Sequence, residues 1–216
     1  MRAARRYPPC GRGQMTPGKR ALDLVFAMGL SVILLPVGAV IALLILLCDG
    51  RPVFHVAERM KTPERAFMLW KFRTMRPAPG DSGVSGGDKM SRITPLGLYL
   101  RRSRLDEVPQ LLNVWRGDIS FVGPRPPLRR YVEGFPALYA RVLEQRPGLT
   151  GLATLVYHRT EERLLAECTT AEQTEAVYVR RCIPRKARLD LIYAERRSIG
   201  LDIRLIFGTV FRFLLP

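Results

Sequence analysis

Asp106 and Glu107 stand side by side in RRSRLDEVPQLLNVWRGDISFVGPRP, residues 101–126, with Arg101, Arg102 and Arg104 just before them and Arg125 in a Gly-Pro-Arg-Pro turn behind. An ionised aspartate can attack phosphorus to give an aspartyl-phosphate, provided the charge of the incoming phosphate is neutralised. Arginines supply part of that neutralisation, and their proximity favours the ionised form of Asp106. A divalent ion would supply the rest. Mg²⁺ suits such a place because it takes one or two carboxylates and keeps its other positions for water and substrate phosphate. Asp106 is therefore the candidate nucleophile and Glu107 the candidate metal ligand. Acidic residues in a first helical turn also simply complement the helix dipole, so the pair alone has a purely structural explanation as well.

The elements that must position this pair can be read from spacing. Val108, Leu111, Leu112 and Trp115 fall on one helical stripe, and Gly117 follows where a left-handed cap is usual. Pro109 has no amide hydrogen and is tolerated only in a first turn, so the helix begins just before it, with the two carboxylates at its N-terminus. Upstream, Thr94-Pro95 predicts an N-cap and an N1 proline for another short helix. Residues 51–76 predict strand, turn and strand around Thr62-Pro63, with Lys71 and Arg73 on one face of the second strand. Residues 77–88 predict a loop, either a lid or a plain linker. Residues 128–145 are helical by period, with Tyr131, Phe135, Leu138, Tyr139 and Val142 as the packing face.

The run LDEVPQLLNVWRGDISFVGPRP, with WKFRTM at 70–75, RPGLTGLA at 146–153 and the apolar segment near the N-terminus, closely resembles the bacterial sugar transferases. These are monotopic phosphoglycosyl transferases that begin polysaccharide and glycoconjugate assembly, as for exopolysaccharide, capsule or lipopolysaccharide, on a polyprenyl (undecaprenyl) phosphate. The resemblance spans roughly residues 17–212. It implies transfer of a sugar phosphate from a nucleotide diphosphate-sugar to polyprenyl phosphate through an aspartyl-phosphosugar on Asp106, with Mg²⁺. It also implies substrate contacts from Lys71, Arg73, Arg101, Arg125 and Arg146. The family pattern usually has a glutamine two residues before Arg59 and a glycine two after it; Ala57 and Lys61 stand here instead, which implies altered contacts to the donor sugar. A catalytically silent membrane scaffold of a glycan assembly pathway is the alternative, and intact Asp106, Glu107 and Arg125 weigh against it.

The remaining chain fits a membrane enzyme. Residues 1–20 read as a basic disordered tail, either bound to anionic lipid or a loose terminus. From Leu24 to Leu47 no charge occurs, a length that can span a bilayer. Pro36 falls in its middle, and both flanks are rich in Lys and Arg, which the positive-inside rule places in the cytoplasm. A re-entrant helix over residues 21–50, broken at Pro36, satisfies both facts, as the family resemblance also implies; a kinked spanning helix is the other option. Residues 51–216 then form a small cytoplasmic catalytic domain of α/β (α+β, helix-rich) class. Residues 161–181 read as an amphipathic helical insertion. The basic, amphipathic segment from Pro184 to Phe213 reads as interfacial helix.

Net charge is +16 over 216 residues, which calls for polyanionic partners: nucleotide, lipid headgroup or nucleic acid. The sequence holds no nucleic-acid motif, so headgroups and phosphates account for the charge. Cys10, Cys48, Cys168 and Cys182 lack paired spacing, so neither a zinc site nor a disulfide framework is expected. His158 is a lone histidine, read as surface or structural. The expected location is the bacterial inner membrane, the domain facing the cytoplasm, with homo-oligomerisation left open.

Overall fold

A computed structural model describes residues 15–78, 84 and 86–214. Most of the basic tail and the centre of the 77–88 loop lie outside the described residues.

Helix α1 runs from Pro17 to Cys48, opened by Thr16, whose hydroxyl accepts from the Lys19 amide. Its apolar window has a mean hydropathy of 3.0, and the helix is long and apolar enough to cross a membrane. The break expected at Pro36 is not seen: Pro36 lies inside α1 and helix continues on both sides, with the missing amide leaving only the Val32 carbonyl without its helical donor. One stripe of α1, Lys19, Asp23, Ala27, Gly38, Ile41 and Ile45, is buried. The opposite stripe, including Val25, Val32, Ile33, Leu35, Val40 and Leu47, is exposed.

Strands β1 (Phe54–Met60) and β2 (Ala66–Phe72) form the expected antiparallel hairpin, with His55 opposite Lys71 and Arg59 opposite Phe67. That register puts His55, Ala57, Arg59, Phe67, Leu69 and Lys71 on one face. Helix α2 (Pro95–Ser103) starts at the expected Thr94 cap, whose hydroxyl accepts from the Gly97 amide at 3.0 Å. A 3-10 turn, Leu105–Gln110, leads into α3 (Leu111–Arg116), which ends at Gly117 with φ +73°. The Arg20 guanidinium completes that end, donating to the carbonyls of Val114 and Trp115. The packing stripe of α3 differs from expectation. Leu111, Asn113 and Val114 are buried, whereas Leu112 and Trp115 are each 41% exposed, because the Trp115 indole turns toward α1 and donates to Ser31.

Asn113 secures the free edge of β2. Its carbonyl accepts from the Trp70 amide at 3.2 Å and its amide donates to the Met68 carbonyl at 2.8 Å, replacing a neighbouring strand. Asn113→Ala leaves both part-buried backbone groups without that partner, and the expected loss is about 1–3 kcal/mol. Denaturant unfolding of the detergent-solubilised protein measures it; a change below about 0.5 kcal/mol, the size of an ordinary surface substitution, would contradict this role.

Strand β3 (Ser120–Val122) pairs in parallel with β4 (Gly148–Thr150). The backbones approach so closely that a Cβ on Gly148 would stand 2.1 Å from the Gly123 nitrogen. The Gly-Pro-Arg-Pro turn and the Arg-Pro-Gly-Leu-Thr turn are thereby pressed together. Helices α4 (Arg129–Gly134) and α5 (Pro136–Val142) divide the expected 128–145 helix, since Pro136 opens a new one. Tyr131, Tyr139 and Val142 are buried as expected. Helices α6 (Leu152–Ala166) and α7 (Ala171–Val177) lead through a π-turn, Tyr178–Cys182, to α8 (Ile183–Arg196). Helix α9 (Ile199–Leu214) follows, so the expected Pro184–Phe213 helix is two. The architecture is helix-rich α+β, with two small sheets among the described residues.

Among the described residues three apolar clusters hold the chain together. The N-terminal half of α1 packs with α3, β3 and α9, and its C-terminal half with Phe72 and Leu100. Met60, Tyr131, Tyr178 and Ile183 anchor a third cluster of helices α4 to α8 that contains no residue of α1.

Candidate active site

Asp106 and Glu107 lie in the 3-10 turn between α2 and α3. Arg104 just before them adopts φ +59°, an unusual conformation for a non-glycine residue, which stops α2 and turns the chain so that both carboxylates point inward. Both are buried.

Glu107 is the electrostatic centre. One oxygen, Oε1, accepts from Lys71 Nζ at 2.7 Å, Arg125 at 2.9 Å and Arg104 at 3.4 Å. Burial opposes its ionisation, yet Lys71, Arg125 and Arg104 outweigh burial and hold it well below the usual carboxylate range. Glu107 in turn raises the pKa of Arg125.

Asp106 is treated differently. Lys71 Nζ stands 3.7 Å from its Oδ2, and Oδ1 is buried without a hydrogen-bond partner. Burial pushes its pKa above 3.8, and the Glu107 charge adds to the rise against the pull of Lys71, Arg104 and Arg101. The neighbouring arginines therefore do not dominate as the sequence suggests. They neutralise Glu107, and Asp106 keeps an unquenched oxygen.

The candidate residues divide into those that converge and those that do not. Lys71 and Arg125 converge on Glu107. Arg101 donates to Thr74 Oγ1 at 2.9 Å and acts on Asp106 through its charge. Arg102 is exposed. Arg73 parts from Lys71: its guanidinium donates to the carbonyls of Asp49, Gly50 and Arg51 at 2.6–2.8 Å and ties the end of α1 to the hairpin. Arg146 lies at the far end of α3, beside Gly117 and Arg20, away from the carboxylates.

Two residues join the site that sequence reasoning did not place there. His158 on α6 accepts at Nε2 from Arg104, orienting the guanidinium that faces Glu107. Arg59 on β1 reaches the carbonyl of Pro126, next to Arg125. His158 carries no signal by itself; for Arg59 the family pattern around it, together with the hairpin register that sets it on the face of Lys71, is what could have found it.

Among the described residues no cluster of three or more His, Cys, Asp or Glu could hold a metal ion alone. The two carboxylates still fit Mg²⁺, which binds through one or two of them with water and substrate phosphate completing its sphere. Asp106 Oδ1, buried without a hydrogen-bond partner, is one available oxygen, and Glu107 supplies the second carboxylate.

Comparison with known proteins shows the family. Residues 14–216 match the family described as Bacterial sugar transferase, and the chain belongs to that family. It is 32% identical over 202 residues to the UDP-glucose:undecaprenyl-phosphate glucose-1-phosphate transferase of Escherichia coli K12, covering 90% of this chain and 39% of that protein. It is 37% identical over 205 residues to the exopolysaccharide production protein PSS of Rhizobium leguminosarum bv. phaseoli, covering 89% of this chain and 92% of that protein. It is 29% identical over 198 residues to a UDP-N-acetylgalactosamine-undecaprenyl-phosphate N-acetylgalactosaminephosphotransferase of Aeromonas hydrophila, covering 89% of this chain and 42% of that protein. The chain thus spans about two-fifths of two of these relatives and most of the third. The two names that give a donor, UDP-glucose and UDP-N-acetylgalactosamine, differ while the identities are similar, so family membership does not fix the donor sugar.

Proposed function

We propose that the protein is a polyprenyl-phosphate phosphoglycosyl transferase, moving a sugar phosphate from a nucleotide diphosphate-sugar to polyprenyl phosphate at the cytoplasmic face of a bacterial inner membrane. The observation that carries this reading is the buried, unpartnered oxygen of Asp106 beside a glutamate ringed by Lys71, Arg104 and Arg125.

In the first half-reaction the Asp106 carboxylate attacks the sugar-linked phosphorus. A carboxylate oxygen to phosphorus bond forms, the bond to the neighbouring phosphate oxygen breaks, and nucleoside monophosphate leaves. Lys71 and Arg125 accompany the negative charge that moves onto the leaving group, and Glu107 keeps both cations in place. Mg²⁺, held by Glu107 and substrate phosphate, would supply further neutralisation of that charge. In the second half-reaction a phosphate oxygen of the acceptor attacks the same phosphorus and Asp106 departs as carboxylate. Because attack needs the ionised form, and burial raises the pKa of Asp106, activity falls on the acid side with an apparent pKa above the usual 3.8. A pH profile of kcat/KM for the donor checks this, and an acid limb at or below 3.8 would contradict it.

The apolar helix supports a re-entrant seating. A helix of 32 residues is about 48 Å long, yet residues at its start, middle and end all pack on the same domain. A perpendicular crossing would draw the charged site into the hydrocarbon, whereas a helix entering and leaving by one face keeps it at the interface. The exposed Ile199, Phe207, Val210 and Phe211 of α9 add an apolar face suited to the same interface.

The experiment is release of nucleoside monophosphate from a panel of nucleotide sugars by the full chain in nanodiscs with polyprenyl phosphate and Mg²⁺. Release from one donor, abolished by EDTA, is expected. Silence across the panel from folded protein would favour a scaffold.

A further inference from the structure

Arg59 is a cation in an unfavourable place. It sits on β1, sharing the hairpin face that carries Lys71. Its Nε is buried and has no hydrogen-bond partner, and another guanidinium nitrogen makes a long bond, 3.5 Å, to the Pro126 carbonyl. That bond brings its guanidinium beside the residue next to Arg125. Burial, and then the charge of Arg125, pull its pKa down to about 10. Two guanidiniums meet here, and the nearest acid, Glu107, already accepts from Arg125, Lys71 and Arg104. A buried donor left unpaired next to a like charge costs stability, and among the described residues no acid other than Glu107 acts on it.

We infer that Arg59 and Arg125 together form a two-arginine clamp for the diphosphate of the nucleotide diphosphate-sugar, with Arg59 a donor-binding residue. This rests on the transferase reading above. An anion between them would supply the missing partner, and the planar guanidinium fork matches phosphate oxygens. The location selects the soluble donor over the lipid acceptor. Arg59 adjoins Met60, Tyr131 and Tyr178, members of the cluster to which α1 contributes nothing, whereas an acceptor tail belongs on the side of α1 and α9. Lys71 then faces the reacting carboxylates while Arg59 and Arg125 hold the departing end.

Replacing a structural residue and replacing a ligand-binding one have opposite effects on the unliganded protein. Arg59→Met removes an uncompensated buried charge, so the melting temperature of the free protein should hold or rise. The same change should raise the donor KM roughly ten- to hundredfold, as expected for loss of a charge-assisted phosphate contact, with the acceptor KM unchanged. Arg59→Lys, which keeps the charge without the fork, should recover part of the loss. In an Asp106→Asn background the stabilisation of the protein by nucleotide diphosphate-sugar should shrink in the Arg59→Met double variant. A donor KM within twofold of the parent would overturn the inference while leaving the transferase reading standing. So would a raised acceptor KM with the donor KM unchanged, or a lowered melting temperature with unchanged donor binding. A parent that turns over no donor sinks the transferase reading instead, and the melting shift with nucleoside diphosphates still reports on the clamp.

Discussion

Asp106→Asn should eliminate sugar-phosphate transfer, lowering the rate by about four orders of magnitude or more, the scale seen when a covalent nucleophile is removed. An amide cannot form the phosphorus bond, and no other described carboxylate stands free in the cluster: Glu107 is held by three cations. The same variant should be at least as stable as the parent. Folding raises the Asp106 pKa, so at neutral pH its ionised form is disfavoured in the folded protein, and that cost disappears only as pH falls through the raised value toward 3.8. Asparagine removes the cost at all pH values. Loss of activity joined to an unchanged or higher melting temperature is the signature of a strained functional group, whereas a structural aspartate would give the reverse.

Glu107→Gln should have the second-largest effect, and on both properties at once. Lys71, Arg104 and Arg125 would lose their common partner. Breaking a buried ion pair from one side usually costs 3–5 kcal/mol. Here on the order of 2–4 kcal/mol is expected, because the side chains of Lys71 and Arg125 remain 20% and 35% exposed. Activity should fall roughly a hundred- to thousandfold, as when a preorganised electrostatic group is removed. The pH dependence carries a definite sign. The Glu107 pKa is depressed by folding, so its contribution is complete above the ordinary 4.5 and is lost as pH falls toward the depressed value. The parent should lose stability across that acid range and the glutamine variant should lose less. With Glu107 neutral, Lys71 is left to Asp106, 3.7 Å away, and the acid limb of residual activity should move to lower pH. Thermal unfolding from pH 3 to 8 with a matched activity profile tests both; an acid limb that stays or rises would contradict the coupling.

The chain disclosed much of this in advance, for physical reasons that differ by element. Thr94-Pro95 and Gly117 are local signals whose backbone demands tertiary contacts rarely override, and each sits where the spacing placed it, whereas Pro109 falls near the end of the 3-10 turn that precedes α3 and not in the first turn of the α-helix itself. Family likeness supplied the significance of Lys71 and Arg125, which charge patterning alone would have left on a wet face. What was illegible depended on where side chains meet across sequence distance. Arg73 shares its alternation with Lys71, but three carbonyls at the end of α1 claim it, and no local pattern announces them. Arg146 is adjacent in sequence to a site-forming turn and yet points to the other end of α3. The packing stripe of α3 shifted because Trp115 found Ser31 on α1, 84 residues away. The sign of the Asp106 shift required knowing that Glu107 takes the cations first.

The most direct test is intact-protein mass measurement after the full chain is mixed with Mg²⁺ and its nucleotide diphosphate-sugar in the absence of acceptor. A mass increase of one phosphosugar, mapped to Asp106, absent in Asp106→Asn and discharged on adding polyprenyl phosphate, is the predicted result. Turnover that proceeds only with both substrates present, with no adduct at any acceptor concentration, would contradict the covalent role of Asp106.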